Sequence, residues 1–108
     1  MIAITIYRKR GRMEGFHCIG HSGYAVSGKD IVCAAVSTLV INTVNAIERF
    51  TQARFDLDTA EKDGLIAFML QERADHDTEL LLKTMLLGLQ DIQKNYGDEY
   101  LILEFKEV

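Results

Sequence analysis

A histidine and a cysteine flank a glycine-containing segment, and these residue types can act together in catalysis. His21 follows a predicted strand, and Cys33 lies where a predicted helix begins. The unpaired N–H groups of a helix N-terminus and a neighbouring imidazolium both stabilise a thiolate, the nucleophilic form of cysteine. The pattern therefore predicts a thiol nucleophile, Cys33, with His21 as its base, as in a cysteine peptidase.

Asp30 is expected to cap the helix that carries Cys33. An aspartate before apolar residues at three- and four-residue spacing is a helix start signal, and this spacing continues to Phe50. The carboxylate of Asp30 opposes a thiolate by its like charge, so an imidazolium partner has to offset it. Ser37, one turn after Cys33, is a supporting residue if its hydroxyl donates to the same site. Such a serine more often bonds the carbonyl four residues back.

The segment from Ser22 to Lys29 is predicted to be a lid over the site, mobile without substrate and ordered when the peptide binds. Gly23 and Gly28 would act as its bending points, because glycine adopts conformations that other residues avoid. Tyr24 would supply an apolar contact to the substrate. The same glycines also suit an ordinary connection.

Two other interpretations of Cys33 compete with a nucleophile. Cysteine is among the most often buried residues, so Cys33 can be an inert core thiol. A zinc site built from His17, Cys18, His21 and Cys33 has suitable ligand types. Strand geometry opposes it, because residues 17 and 21 would lie about 13 Å apart and Cys18 would face the other side of the sheet.

The elements that would position these residues follow from local periodicity. Alternating apolar residues predict two hairpins, and three- and four-residue spacing predicts two helices. Asp-Gly at 63–64 favours a turn, Asp75 or Asp77 caps the second helix, and Gly97 suits its C-terminus. The order ββαββαβ indicates an α+β two-layer sandwich with a mainly antiparallel sheet and undetermined strand order. The predicted strands span 2–7, 13–20, 53–59, 65–72 and 100–108, and the first helix spans 31–50.

Length and composition limit the functions that the chain can have. With 108 residues it fits a single domain over 1–108. A net charge of −4 argues against a nucleic-acid binder. Polar residues interrupt the apolar run 31–47, and no signal peptide is recognisable, so we expect no membrane partner and a cytoplasmic protein with reduced cysteines.

Surplus apolar residues predict a homodimer. Leu80 and Leu87 fall away from the main stripe of the second helix, and strand 65–70 is apolar on both faces. A small two-layer domain has too little interior to bury all of them. A helix with a wide apolar face is the alternative.

The run from Gly20 to Ala25, followed after two residues by Gly28 to Ser37, resembles the signature of the ribosomal-processing cysteine protease family, Prp. Length and element order are also similar, so the resemblance covers essentially the whole chain. It implies a dyad of His21 and Cys33 without metal or cofactor, in a homodimeric α+β fold. It also implies a substrate: the N-terminal extension of the large-subunit ribosomal protein that approaches the peptidyl transferase centre, cut after paired phenylalanines.

The sequence departs mildly from the pattern of this family. Members often have alanine where Ser22 stands and a charged residue near Val26 or Ser27, which affects the packing of the segment more than the dyad. The runner-up function is a non-catalytic ribosome-assembly module that binds the ribosomal protein without cutting it. Cys33 would then be only a core residue.

Overall fold

Two hydrogen-bonded strands open the chain, as their alternating apolar residues predict. The computed structural model describes residues 1–21 and 30–108. Strand β1 (Ile2–Lys9) pairs antiparallel with β2 (Arg12–Gly20). Ile2, Ile4 and Ile6 are buried while the residues between them are only half-buried, so one face of β1 points into the core.

The first helix begins and ends where the sequence predicts. Helix α1 (Ile31–Phe50) is capped by Asp30, whose side chain accepts hydrogen bonds from the backbone amides of Val32 and Cys33. By length and composition alone α1 could cross a membrane. Its buried residues, which include Val36, instead belong to the core that the sheet and the second helix share.

A second hairpin follows, and its connection is longer than a two-residue turn. Strands β3 (Phe55–Ala60) and β4 (Leu65–Leu70) are antiparallel and are joined by a 3₁₀ turn, Glu61–Asp63. Gly64 ends the turn in the left-handed conformation, which glycine adopts without steric cost. Both strands are shorter than the predicted ranges.

The second helix and the last strand complete the predicted order. Helix α2 (His76–Tyr96) is capped by Asp75 rather than Asp77, through a hydrogen bond from the Thr78 amide. Gly97 follows its last residue with a positive φ, as predicted for a residue at that position. Strand β5 is Leu101–Glu107.

The five strands of the described residues form one sheet in the order β3-β4-β2-β1-β5. The β1–β5 pair is parallel and the other three pairs are antiparallel. The structure thus confirms the α+β fold with ββαββαβ order and a mainly antiparallel sheet, and it supplies the strand order.

A single hydrophobic core joins the sheet to both helices. Phe16, Phe68 and Phe55 form an aromatic row across β2, β4 and β3, with ring centroids 5.3 Å and 4.7 Å apart. Aromatic pairs across neighbouring strands stabilise a sheet beyond the area they bury. This row fixes the half of the sheet that borders the cleft described below.

Candidate active site

A cleft of about 600 Å³ lies between α1 and the sheet, and both His21 and Cys33 line it. Its volume is that of a typical ligand site in a protein. Apolar side chains dominate the walls, and a few polar groups interrupt them. The sequence-predicted pair therefore shares one concave surface.

One stripe of α1 forms a wall of the cleft. Cys33, Ser37, Ile41 and Asn45 all line it and follow one another at four-residue spacing. Residues four apart lie on one helix face, and 12 residues of helix extend over about 18 Å. The predicted nucleophile thus lies at one end of a groove with room for several residues of an extended peptide.

The inward side chains of three strands form the floor. Cys18 of β2 pairs with Ile66 of β4, and Ile66 pairs with Thr59 of β3, so these three side chains stand in one row. Leu57 borders the cleft one step further along β3 and is 47% exposed although it points inward. The groove therefore runs between this part of the sheet and α1.

His21 follows the last residue of β2 and is exposed. Its carbonyl oxygen accepts a hydrogen bond from the backbone amine of Met1. Its ring Nε2 lies 3.3 Å from the carbonyl oxygen of Lys62, in the 3₁₀ turn. Both the backbone and the ring of His21 thus contact neighbouring main-chain segments at the edge of the cleft.

Asp30 acts as the helix cap that the sequence predicts, and this affects the oxyanion site. Its Oδ1 accepts from the amides of Val32 and Cys33, each at 3.0 Å, while its carbonyl accepts from the Ala34 amide. These amides are the donors that a first-turn oxyanion site would use. An oxyanion bound there would compete with the Asp30 carboxylate for these N–H groups.

The two cysteines have different environments. Cys18 is buried, and burial, followed by the nearby Cys33 side chain, raises the pKa of its thiol to about 11. Cys33 is only half-buried and faces the cleft. Near neutral pH Cys18 is therefore a protonated core thiol and not an alternative nucleophile.

The remaining predicted residues are placed as follows. Ser37 lines the cleft one turn from Cys33, whereas Gly23, Tyr24 and Gly28 lie outside the described residues. His17 is half-buried next to the buried Cys18, as expected for opposite faces of β2. Within residues 1–21 and 30–108, no three His, Cys, Asp or Glu side chains are grouped as a metal site.

Sequence reasoning missed most of the cleft. Ile41 and Asn45 share a helix face with Cys33 at four-residue spacing, a signal that was available. Leu57, Glu61 and Leu65 also line the cleft, but only the long-range pairing of strands brings them there.

The sequence model of the cysteine protease Prp family matches residues 1–101 of this chain. The chain belongs to the cysteine protease Prp family. It is 33% identical to the ribosomal processing cysteine protease Prp of Bacillus subtilis, over 91% of this chain and 92% of that protein. Identity to Prp of Staphylococcus aureus is also 33%, over 91% and 93% of the two chains. The chain is thus a cysteine protease of the Prp family.

Solved Prp structures have the same fold. One is the essential Prp of S. aureus in complex with a covalently linked product peptide, with a TM-score of 0.92 and 31% identity over 98% of this chain and 100% of that one. Another, with a substrate peptide, gives a TM-score of 0.86 at 30% identity and the same coverage. This agreement favours the peptidase interpretation over the non-catalytic binding module.

Iodoacetamide is expected to label Cys33 well before Cys18 near neutral pH, because the Cys18 thiol is buried and protonated. Mass-spectrometric peptide mapping after partial labelling measures the order. In the matched Cys33→Ala variant, labelling should require unfolding or a pH approaching 11. Faster labelling of Cys18 than of Cys33 in the folded wild type would contradict the assignment.

Proposed function

We propose that this Prp-family protease removes the N-terminal extension of a large-subunit ribosomal protein, the one that approaches the peptidyl transferase centre. His21 and Cys33 are the proposed catalytic dyad. The observation that carries the proposal is that both residues line one peptide-sized cleft. Ribosomal processing is the activity for which the B. subtilis and S. aureus relatives are named.

The dyad would act by acyl transfer. His21 takes the proton from the Cys33 thiol, and the thiolate attacks the carbonyl carbon of the scissile peptide bond. The C–N bond breaks, the leaving amine takes the proton from the imidazolium, and a thioester remains on Cys33. Water, deprotonated by His21, then hydrolyses the thioester and restores the thiol.

Charge development on the carbonyl oxygen needs a hydrogen-bond donor. The Cys33 amide is near the reacting sulfur but donates to Asp30. A shared or transferred hydrogen bond from this amide would stabilise the oxyanion, since a carboxylate and an oxyanion compete for the same N–H. Asp30 therefore supports the site by holding α1, and Ser37 is a candidate second donor one turn away.

The cleft suits a substrate with large apolar side chains. Ile41 and Leu57 are 48% and 47% exposed, and both border the groove. Covering such surface contributes about 25 cal/mol per Å², so an aromatic pair would gain substantial binding energy there. The net charge of −4 also favours the approach of a basic ribosomal protein.

We further propose that the protease is a cytoplasmic homodimer. Leu80 and Leu87 are exposed on α2, and Ala67 and Met69 lie on the side of β4 that faces away from the core. Analytical ultracentrifugation should give twice the chain mass of 12.2 kDa, and a single species at the chain mass excludes the dimer.

The cytoplasmic location rests on the two free thiols, which suit a reducing compartment. Cell fractionation tests the compartment.

Cys33→Ala is expected to lower cleavage of an extension peptide by about 10³-fold or more, because the variant loses the thiol that carries the acyl group. Hydrolysis followed by mass spectrometry provides the measurement. The matched control is Cys18→Ala, which removes the same atom from the floor of the cleft. Because Cys18 is only 4% exposed, this variant should keep nearly full activity at a modest cost in stability. Cleavage retained in Cys33→Ala would contradict the proposed dyad.

Ile41→Ala is expected to reduce kcat/KM for an extension peptide by about tenfold, mainly through KM, because the variant loses apolar contact with bound peptide. Phe50→Ala is the control on the same helix: Phe50 is 73% exposed and is not among the residues that line the cleft. Its kcat/KM should stay within about twofold of wild type. Equal losses from both variants would show that the groove does not bind the peptide.

A further inference from the structure

The ring of His21 has a protein hydrogen-bond partner that defines its protonation pattern. Nε2 lies 3.3 Å from the Lys62 carbonyl oxygen. A carbonyl oxygen only accepts, so a hydrogen bond here requires the hydrogen on Nε2. In the neutral ring Nδ1 then carries the lone pair. The nitrogen available to take a proton from a thiol is therefore Nδ1.

The Lys62 carbonyl belongs to a turn that is closed by a backbone hydrogen bond. Residues Glu61–Asp63 form the 3₁₀ turn, and the Gly64 amide donates to the Glu61 carbonyl at 3.1 Å. The turn lies just before the start of β4, where Ile66 pairs with Cys18 near the end of β2. The β2–β4 pairing therefore brings the turn next to the residue that follows β2, His21.

Close backbone packing sets the position of the turn against β2. A Cβ atom built on Gly64 would lie 2.4 Å from the carbonyl oxygen of Gly20 and 3.1 Å from its carbonyl carbon. Gly20 directly precedes His21. It is itself packed closely, because a Cβ there would lie 2.4 Å from the Met1 carbonyl oxygen. Any larger residue at 64 must displace the peptide unit that leads into His21.

We propose that the Lys62 carbonyl fixes His21 with Nδ1 as its basic nitrogen, and that Gly64 is the positioning residue that holds this carbonyl at the ring. The inference rests on the proposed function, in which His21 is the base. The backbone carbonyl takes the orienting role that a third side chain has in a catalytic triad. When the thiol proton moves to Nδ1, the Nε2–H still donates to Lys62, which stabilises the imidazolium.

Gly64→Ala tests the proposal against a control, Gly11→Ala, in which the substituted residue also has a positive φ. Gly64 and Gly11 have φ values of 63° and 80°, so alanine is strained at either position. A Cβ on Gly11 meets no atom within 4 Å, whereas one on Gly64 meets Gly20. Gly64→Ala therefore displaces Gly20, the last residue of β2, whereas Gly11→Ala does not.

The readouts are the pH profile of Cys33 alkylation and the steady-state constants for an extension peptide. His21→Ala should move Cys33 alkylation to higher pH, because the thiolate loses its cationic neighbour. Gly64→Ala should shift the profile in the same direction and lower kcat by about 10- to 100-fold with little change in KM. Gly11→Ala should match wild type in both. Two other charged residues are close to the site: Glu61 lines the cleft, and Asp30 accepts a hydrogen bond from the Cys33 amide. Both are unchanged in Gly64→Ala and Gly11→Ala, so a difference between the two alkylation profiles does not come from them. A Gly64→Ala profile and kcat equal to those of Gly11→Ala would overturn the proposal.

Nitrogen-15 NMR of the histidine rings in the wild-type protein decides the matter even if Gly64→Ala does not fold. The neutral His21 ring should be protonated on Nε2 alone, and a neutral ring protonated on Nδ1 alone would overturn the proposal; the imidazolium, protonated on both nitrogens, is expected once the thiol proton has moved. Failure of the dyad itself is a separate result. It would show as cleavage retained in Cys33→Ala, whereas an inactive Cys33→Ala protein with an unaffected Gly64→Ala protein rejects only the positioning role.

Discussion

Pairing of β2 with β4 is the constraint on which the rest of the structure depends. It joins two hairpins, distant in sequence, into one sheet and aligns Cys18 with Ile66. The same register stacks Phe16 on Phe68 and brings the 3₁₀ turn to the end of β2. A shift by one residue would reverse the faces of β4 and withdraw both the cleft floor and the Lys62 carbonyl from the site.

Local signals account for the elements and long-range pairing accounts for the site. The Asp30 cap, the extent of α1 and both hairpins could be predicted because each depends on neighbouring residues. The parallel β1–β5 pair and the strand order could not, since they join segments far apart in sequence. The wall of the cleft on α1 follows from four-residue spacing, but Leu57 and Glu61 reach it only through the sheet.

The immediate surroundings of Cys33 combine opposing effects on a thiolate. The helix start favours negative charge, while the Asp30 carboxylate, which accepts the Cys33 amide, disfavours it. Buried Cys18 remains protonated and adds no charge near neutral pH. In the proposed dyad, the imidazolium of His21 would offset the carboxylate, so the thiolate would depend on the position of the His21 ring.

The most direct test of this account is to trap the acyl-enzyme. Acid quenching during turnover of an extension peptide, followed by mass-spectrometric mapping, locates the thioester formed between the substrate carbonyl carbon and a cysteine sulfur. The account predicts the acyl mass on the peptide that contains Cys33, and its absence from the peptide that contains Cys18. An acyl group on Cys18, or turnover with no acyl group on either cysteine, would contradict it.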